Sequence, residues 1–166
     1  IWEHQALTRA RFCAGDPAVG ARFGEIRIEI LRQPRDLAKL KEEVVAMRRK
    51  MLDAHALNSD SEFALKHDPG GIIDVEFIVQ YLILAYAHEH ARLTGNLGNI
   101  ALLRMAAELG LIDAGQAEAA GNAYREYRRL QHAKRLSSNP KTPIPREEVE
   151  THISAVRALW EAVFSD

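Results

Sequence analysis

Between Ile72 and Ala87 the chain reads IIDVEFIVQYLILAYA, a helical run in which Asp74, Glu76 and Gln80 interrupt otherwise apolar sequence. A helix hydrophobic most of the way round is buried in its domain. The three polar groups inside it are therefore either the machinery of a site or the internal joints of a helical bundle. The run is too short and too interrupted for a convincing membrane span, and Gly70 and Gly71 stand at its entrance.

Elsewhere the apolar spacing is also helical. Trp2, Ala6, Ala10 and Cys13 form a stripe that ends near Gly15. Asp16 and Pro17 make a good helix start, after which Val19, Phe23, Ile26 and Ile30 keep the period up to Pro34. Leu37, Leu40, Val44, Met47, Met51 and Ala54 step 3-4-3-4-3, with Lys41, Glu42, Glu43, Arg48 and Arg49 read as solvated charges on other faces. In SDSEFALKHDPGG, Phe63 and Leu65 alternate with polar neighbours, which predicts a short extended or turn segment near residues 62–71. A further helix runs from about Ile100 to Gly110, and another is capped by Asp113 and carries Ala120, Ala123, Tyr127 and Leu130. Ser137 to Pro145 is a loop by composition. The last helix holds Val149, Ile153, Val156, Trp160 and Val163 behind Glu147 and Glu148. The expected fold is an all-α bundle of about seven helices, one domain over residues 1–166.

Charge narrows the function classes. Lys+Arg total 22 against 23 for Asp+Glu, so no global field favours nucleic acid or an anionic membrane surface. Arg125, Arg128, Arg129, Lys134, Arg135, Lys141 and Arg146 against Glu126 make one local basic patch. The single cysteine cannot form an internal disulfide, no secretory leader is visible at the N-terminus, and a reducing cytoplasm is the expected compartment. The chain opens at Ile1 inside a helical pattern, from which we expect it to be part of something larger. His88 and His90 lie about 200° apart around a helix and cannot share one ion, and HExxH is absent, so no metal site is expected.

The glycine pair admits two readings: a plain turn, or a helix N-terminus that offers N–H groups to a phosphate. Asp74 is read as a cap in the first turn. Glu76 and Gln80 share a face of the apolar helix, and a buried carboxylate needs a partner. Arg128 or Arg129, on the helix that also carries His132, is the expected one, giving a buried polar cluster of Glu76, Gln80, Arg128, Arg129 and His132. Glu76→Ala would then loosen the domain. Structural pairing is the stronger reading of that cluster, with catalysis as the alternative.

WEHQALTRAR from Trp2, PRDLAKLKEEVVAMRRKM from Pro34, LKHDPGGIIDVEFIVQYLILAYAHEH from Leu65 and AYREYRRLQH from Ala123 resemble, in order and spacing, the glutamine synthetase adenylyltransferase family. They look like its helical, PII-uridylyltransferase-type domain, and more like that of the C-terminal, adenylylating half. The resemblance implies a bifunctional enzyme that moves AMP from ATP, with Mg2+, onto a tyrosine of glutamine synthetase and removes it by phosphorolysis, regulated by PII signalling proteins and glutamine. The family's chemistry needs a glycine-serine turn and closely spaced aspartates that hold magnesium. This chain lacks them, so the catalytic carboxylates are expected in an upstream domain and no activity is expected here alone. Lys66, Gly70, Gly71 and Asp74 become candidate nucleotide- or cleft-facing residues. If the glycines touch phosphate, Gly71→Ala should raise the ATP KM and leave folding intact. The competing reading is a pure interaction module that binds glutamine synthetase or a PII protein without nucleotide.

Overall fold

The central apolar run is a helix, and the other elements are placed by its need for cover. The computed structural model describes residues 2–57, 59–136 and 143–165. Among them run α1 (Trp2–Leu7), α2 (Pro17–Leu31), α3 (Leu37–His55), α4 (Ile72–Tyr86), α5 (Asn99–Glu108), α6 (Ala114–Arg135) and α7 (Glu150–Phe164). The expected all-α bundle is what forms. In α4 every residue but Glu76, Gln80 and Tyr86 is buried, because α1, α3, α5, α6 and α7 all pack on it. Each fully buried Ile, Leu or Val there contributes about 2 kcal/mol relative to exposure. Among the described residues no helix is long and apolar enough to cross a membrane.

The expected extended segment is the two-residue strand β1 (Glu62–Phe63). It pairs antiparallel with β2 (Ile144–Pro145), Glu62 opposite Pro145 and Phe63 opposite Ile144. The end of the stretch read as a loop is therefore a strand, while residues 137–142 of that stretch lie outside the described residues. Phe63 and Ile144 point into the core, and Pro145 sits where a missing N–H is tolerated.

The helix starts read at Asp16 and Asp113 are capped by those side chains, and Asp36 caps a third in the same way. Asp16 accepts from the Ala18 N–H at 2.8 Å, Asp36 from Lys39 at 3.0 Å and Asp113 from Gln116 at 2.9 Å. Gly110, with φ of 72°, follows the end of α5 in the left-handed conformation that glycine adopts freely. Glu147 and Glu148 sit in a 3-10 turn, Arg146–Glu148, ahead of α7 rather than in its first turn.

Two helices depart from expectation. α1 stops at Leu7 instead of continuing toward Gly15. The Thr8, Arg9 and Ala10 N–H groups turn back three residues to Gln5, Ala6 and Leu7, and the Leu7 and Thr8 carbonyls are taken by Arg27. On α2 the expected apolar stripe is only partly covered, with Val19 and Ile26 exposed and Phe23 and Ile30 half-buried, while Gly20, Arg27 and Leu31 are buried. The guanidinium of Arg27 is what reaches inward. Its Nε donates to Leu7 O at 3.0 Å, Nη2 to Thr8 O at 2.8 Å and Nη1 to Thr94 O at 2.7 Å.

Arg27→Met keeps the alkyl stem but strands the Thr8 and Thr94 carbonyls, so it should destabilise the fold by about 2–3 kcal/mol in urea melts. A change below about 0.5 kcal/mol, the range of an ordinary surface substitution, would show that the strut is dispensable.

Candidate functional site

The turn that leads into α4 uses up its own donors. Gly71 N donates to Asp68 O at 3.0 Å, Ile72 N to Leu65 O at 2.9 Å and Ile73 N to Lys66 O at 3.3 Å. Gly70 N donates to Asp74 Oδ2 at 2.6 Å. The Asp68 carboxylate, itself buried, accepts from Leu57 N at 2.8 Å and Ala64 N at 2.7 Å, which fixes the chain on both sides of β1. A phosphate at this helix entrance would find no free N–H on residues 70–73. Of the four candidate cleft-facing residues, Gly70, Gly71 and Asp74 are buried, and Lys66 alone is exposed.

Both glycines are instead required by close approach. Gly70 has φ of 91°, and a Cβ there would lie 2.9 Å from Ile153 O and 2.9 Å from Ile153 Cγ2 of α7. On Gly71 a Cβ would lie 2.6 Å from Leu65 O and 2.9 Å from Asp68 O. The Tyr127 hydroxyl donates to Gly70 O at 2.9 Å and locks the turn to α6. Burial, aided by the charges of Asp74 and Glu150, pushes that phenol far above its ordinary range.

Asp74 is more than a cap. Its Oδ1 receives the Nε–H of Arg48 in an ion pair whose two side chains are almost wholly buried. Nη2 of Arg48 also donates to His67 O at 2.9 Å and to Asp68 O at 3.4 Å. Burial pushes the Asp74 carboxyl up, against the downward pull of Arg48, the Gly70 N–H and Arg157. The expectation that Arg48 is solvated is thus reversed. Leu40, Val44 and Arg48 recur every four residues on the buried face of α3, and Arg48 is the last of that row.

The expected polar cluster is not assembled. Glu76 is only half-buried and accepts from the Tyr124 hydroxyl at 3.2 Å. The register of α6 sets Tyr124 opposite Glu76, and Arg128 one turn farther on donates to Gln131 at 3.0 Å. Arg129 pairs with Glu126 at 2.6 Å on the surface, and His132 is exposed. Gln80, one turn farther along α4, accepts from Gln5 Nε2 at 3.0 Å, which docks α1. Burial raises the Tyr124 phenol, and the Glu76 charge adds to the rise. Asn99, buried at the start of α5, takes a bond from Arg9 at 2.6 Å. Among the described residues no three His, Cys, Asp or Glu side chains converge as a metal site would need.

The family model of GlnD PII-uridylyltransferase matches residues 38–143, which contain this turn and both partners of the buried pair. The chain is 59% identical over 164 residues to the bifunctional glutamine synthetase adenylyltransferase/adenylyl-removing enzyme of Aromatoleum aromaticum, with 99% of the chain and 17% of that protein aligned. It is 54% identical to the enzyme of the same name from Nitrosomonas europaea, with 99% and 19% aligned, and 55% identical to that of Chromobacterium violaceum, with 99% and 18% aligned. The chain therefore spans less than a fifth of the length of these relatives.

Gly71→Ala should lower stability by about 1–3 kcal/mol, since backbone carbonyls, not flexible side-chain ends, block the new methyl. An unchanged melting temperature would instead return the glycine to a ligand-facing role. Arg48→Met leaves a buried carboxylate unpaired and should cost about 3–5 kcal/mol. Adding Asp74→Asn should then cost less than the two single losses summed, and strict additivity in the double-mutant cycle would mean the pair is not coupled.

Proposed function

The chain belongs to the GlnD PII-uridylyltransferase family, and from that premise we propose that it is the helical accessory domain of an enzyme that transfers AMP from ATP to a tyrosine of glutamine synthetase. The observation that carries this reading is the 59% identity over 99% of the chain to a bifunctional adenylyltransferase/adenylyl-removing enzyme more than five times as long. In this proposal the carboxylates that hold Mg2+ on the triphosphate belong to a nucleotidyltransferase domain upstream. Among the described residues no three acidic or histidine side chains gather as a site for that ion would need, and in this proposal no chemical step passes through this chain.

Its own contribution is positional. A bundle whose central helix is locked at its first turn gives a rigid wall against which a catalytic cleft can be built. Lys66, exposed on the turn, is the candidate cleft-facing residue that remains open to a nucleotide. Assignment to the C-terminal, adenylylating half, a cytoplasmic location and control by a PII protein are parts of the same proposal.

A second reading, an interaction module that binds glutamine synthetase or a PII protein, is favoured by one observation. Trp2, Phe12, Val19, Ile26 and Ile28 of the first two helices and their link are all exposed.

The two readings separate in a labelled-AMP assay with glutamine synthetase, ATP and Mg2+. The chain alone should incorporate nothing, and the chain continuous with the upstream domain should be active. An accessory wall predicts that Lys66→Ala in the continuous protein raises the ATP KM several-fold. An unchanged KM, with activity lost instead on Val19→Glu/Ile26→Glu, would favour the interaction module. AMP transfer by the chain alone would overturn both.

A further inference from the structure

Beside the buried ion pair, α3, α7 and the turn before α4 enclose a pocket of about 290 Å³ that none of the roles above uses. Arg48, Arg49 and Arg157 all line it, against the two carboxylates of Asp74 and Glu161. Asp74 is already committed, one oxygen to Arg48 Nε and the other to Gly70 N. Glu161 is exposed at the edge. Arg49 and Arg157 are also exposed and make no ion pair among the described residues.

Arg48 adds a further positive charge at the base of the pocket. The residue is 1% exposed, and its Nη1 finds no acceptor, although Nε and Nη2 are fully engaged. That nitrogen is closed off from solvent, so Arg48 adds positive charge beneath the pocket without offering this N–H into it. Trp160 forms an apolar wall, held by a tilted ring contact with Phe164 at 4.2 Å between centroids.

We propose that this pocket binds a small phosphate-bearing anion. Arg49 and Arg157 grip its oxygens at the rim, and Arg48 supplies charge from the floor. Three guanidinium groups on one concavity match the several acceptor oxygens and double charge of a phosphate better than the single charge of a carboxylate. The volume limits the bound part to one or two phosphoryl groups with little attached inside the pocket. This inference stands apart from the adenylyl-transfer reading and would survive its failure.

The test titrates the 166-residue chain, carrying Trp2→Phe so that Trp160 is the sole indole, with inorganic phosphate, pyrophosphate and metal-free ATP. Sodium chloride at matched ionic strength is the control. Saturable change in Trp160 fluorescence is expected, with a rise in Tm of about 4 °C at ten times the dissociation constant. The most effective of the three anions shows whether the phosphate is free or carried on a nucleotide. Arg49→Gln should weaken binding several-fold without changing the unliganded Tm, Arg49→Gln/Arg157→Gln should weaken it at least tenfold in a protein that still melts cooperatively, and Glu161→Gln should tighten it. An equal response to chloride, no saturation, or undiminished binding by the double variant would overturn the proposal.

Discussion

The pair between Arg48 and Asp74 decides where the central helix begins, and the placement of everything else follows from that point. A desolvated carboxylate beside a desolvated guanidinium tolerates little change in geometry, because any gap leaves a buried charge without compensation. Asp74 sits in the first turn of α4 and binds Gly70 N with its other oxygen, while Arg48 binds the carbonyls of His67 and Asp68. Helix α3, the turn and the start of α4 are thus one unit. The rotational setting of α4 is fixed with it, and so is the match between its apolar side chains and the five helices around them.

Arg48 is one of three arginines used in this way. Arg27 binds carbonyls at the end of α1 and in the 3-10 turn Ala91–Thr94, and Arg35 binds Ile30 O at 2.7 Å and Leu84 O at 3.1 Å, so that the end of α2 is tied to α4. A guanidinium offers five donors in a planar fork and suits the exposed carbonyls and partial negative charge of a helix end. In a chain with almost no net charge, these three cations serve the interior. That is why the residues most suggestive of a site, the glycines and acids around α4, turn out to be occupied by the fold itself.

The helices were legible because their signal is periodic and local. The aspartate caps, the extended residues near Phe63 and the buried character of α4 could all be read from spacing. The phase of α2 could not, since Val19, Ile26 and Ile30 and the face of Arg27 compete, and only tertiary contacts decide which turns inward. Arg48 was readable in principle as the next step after Leu40 and Val44, but the methionines at 47 and 51 offered a more hydrophobic row. The partner of Glu76 was missed for a different reason: the register between α4 and α6 is set by packing, and it selects Tyr124 where charge alone suggested Arg128. The pocket beside Arg157 joins residues more than a hundred positions apart, which no local pattern reveals.

The pairing of β1 with β2 has a consequence for how the chain reaches this state. Its two strands close a loop of about eighty residues that contains α4, α5 and α6. Closing such a loop costs about 4 kcal/mol in chain entropy, more than a strand pair two residues long returns by itself. The clasp can therefore form only once the helices between its ends have packed and brought residues 62 and 144 together. It reports a completed bundle and contributes little to starting one, so in folding kinetics it belongs on the native side of the barrier, where it slows unfolding without hastening assembly.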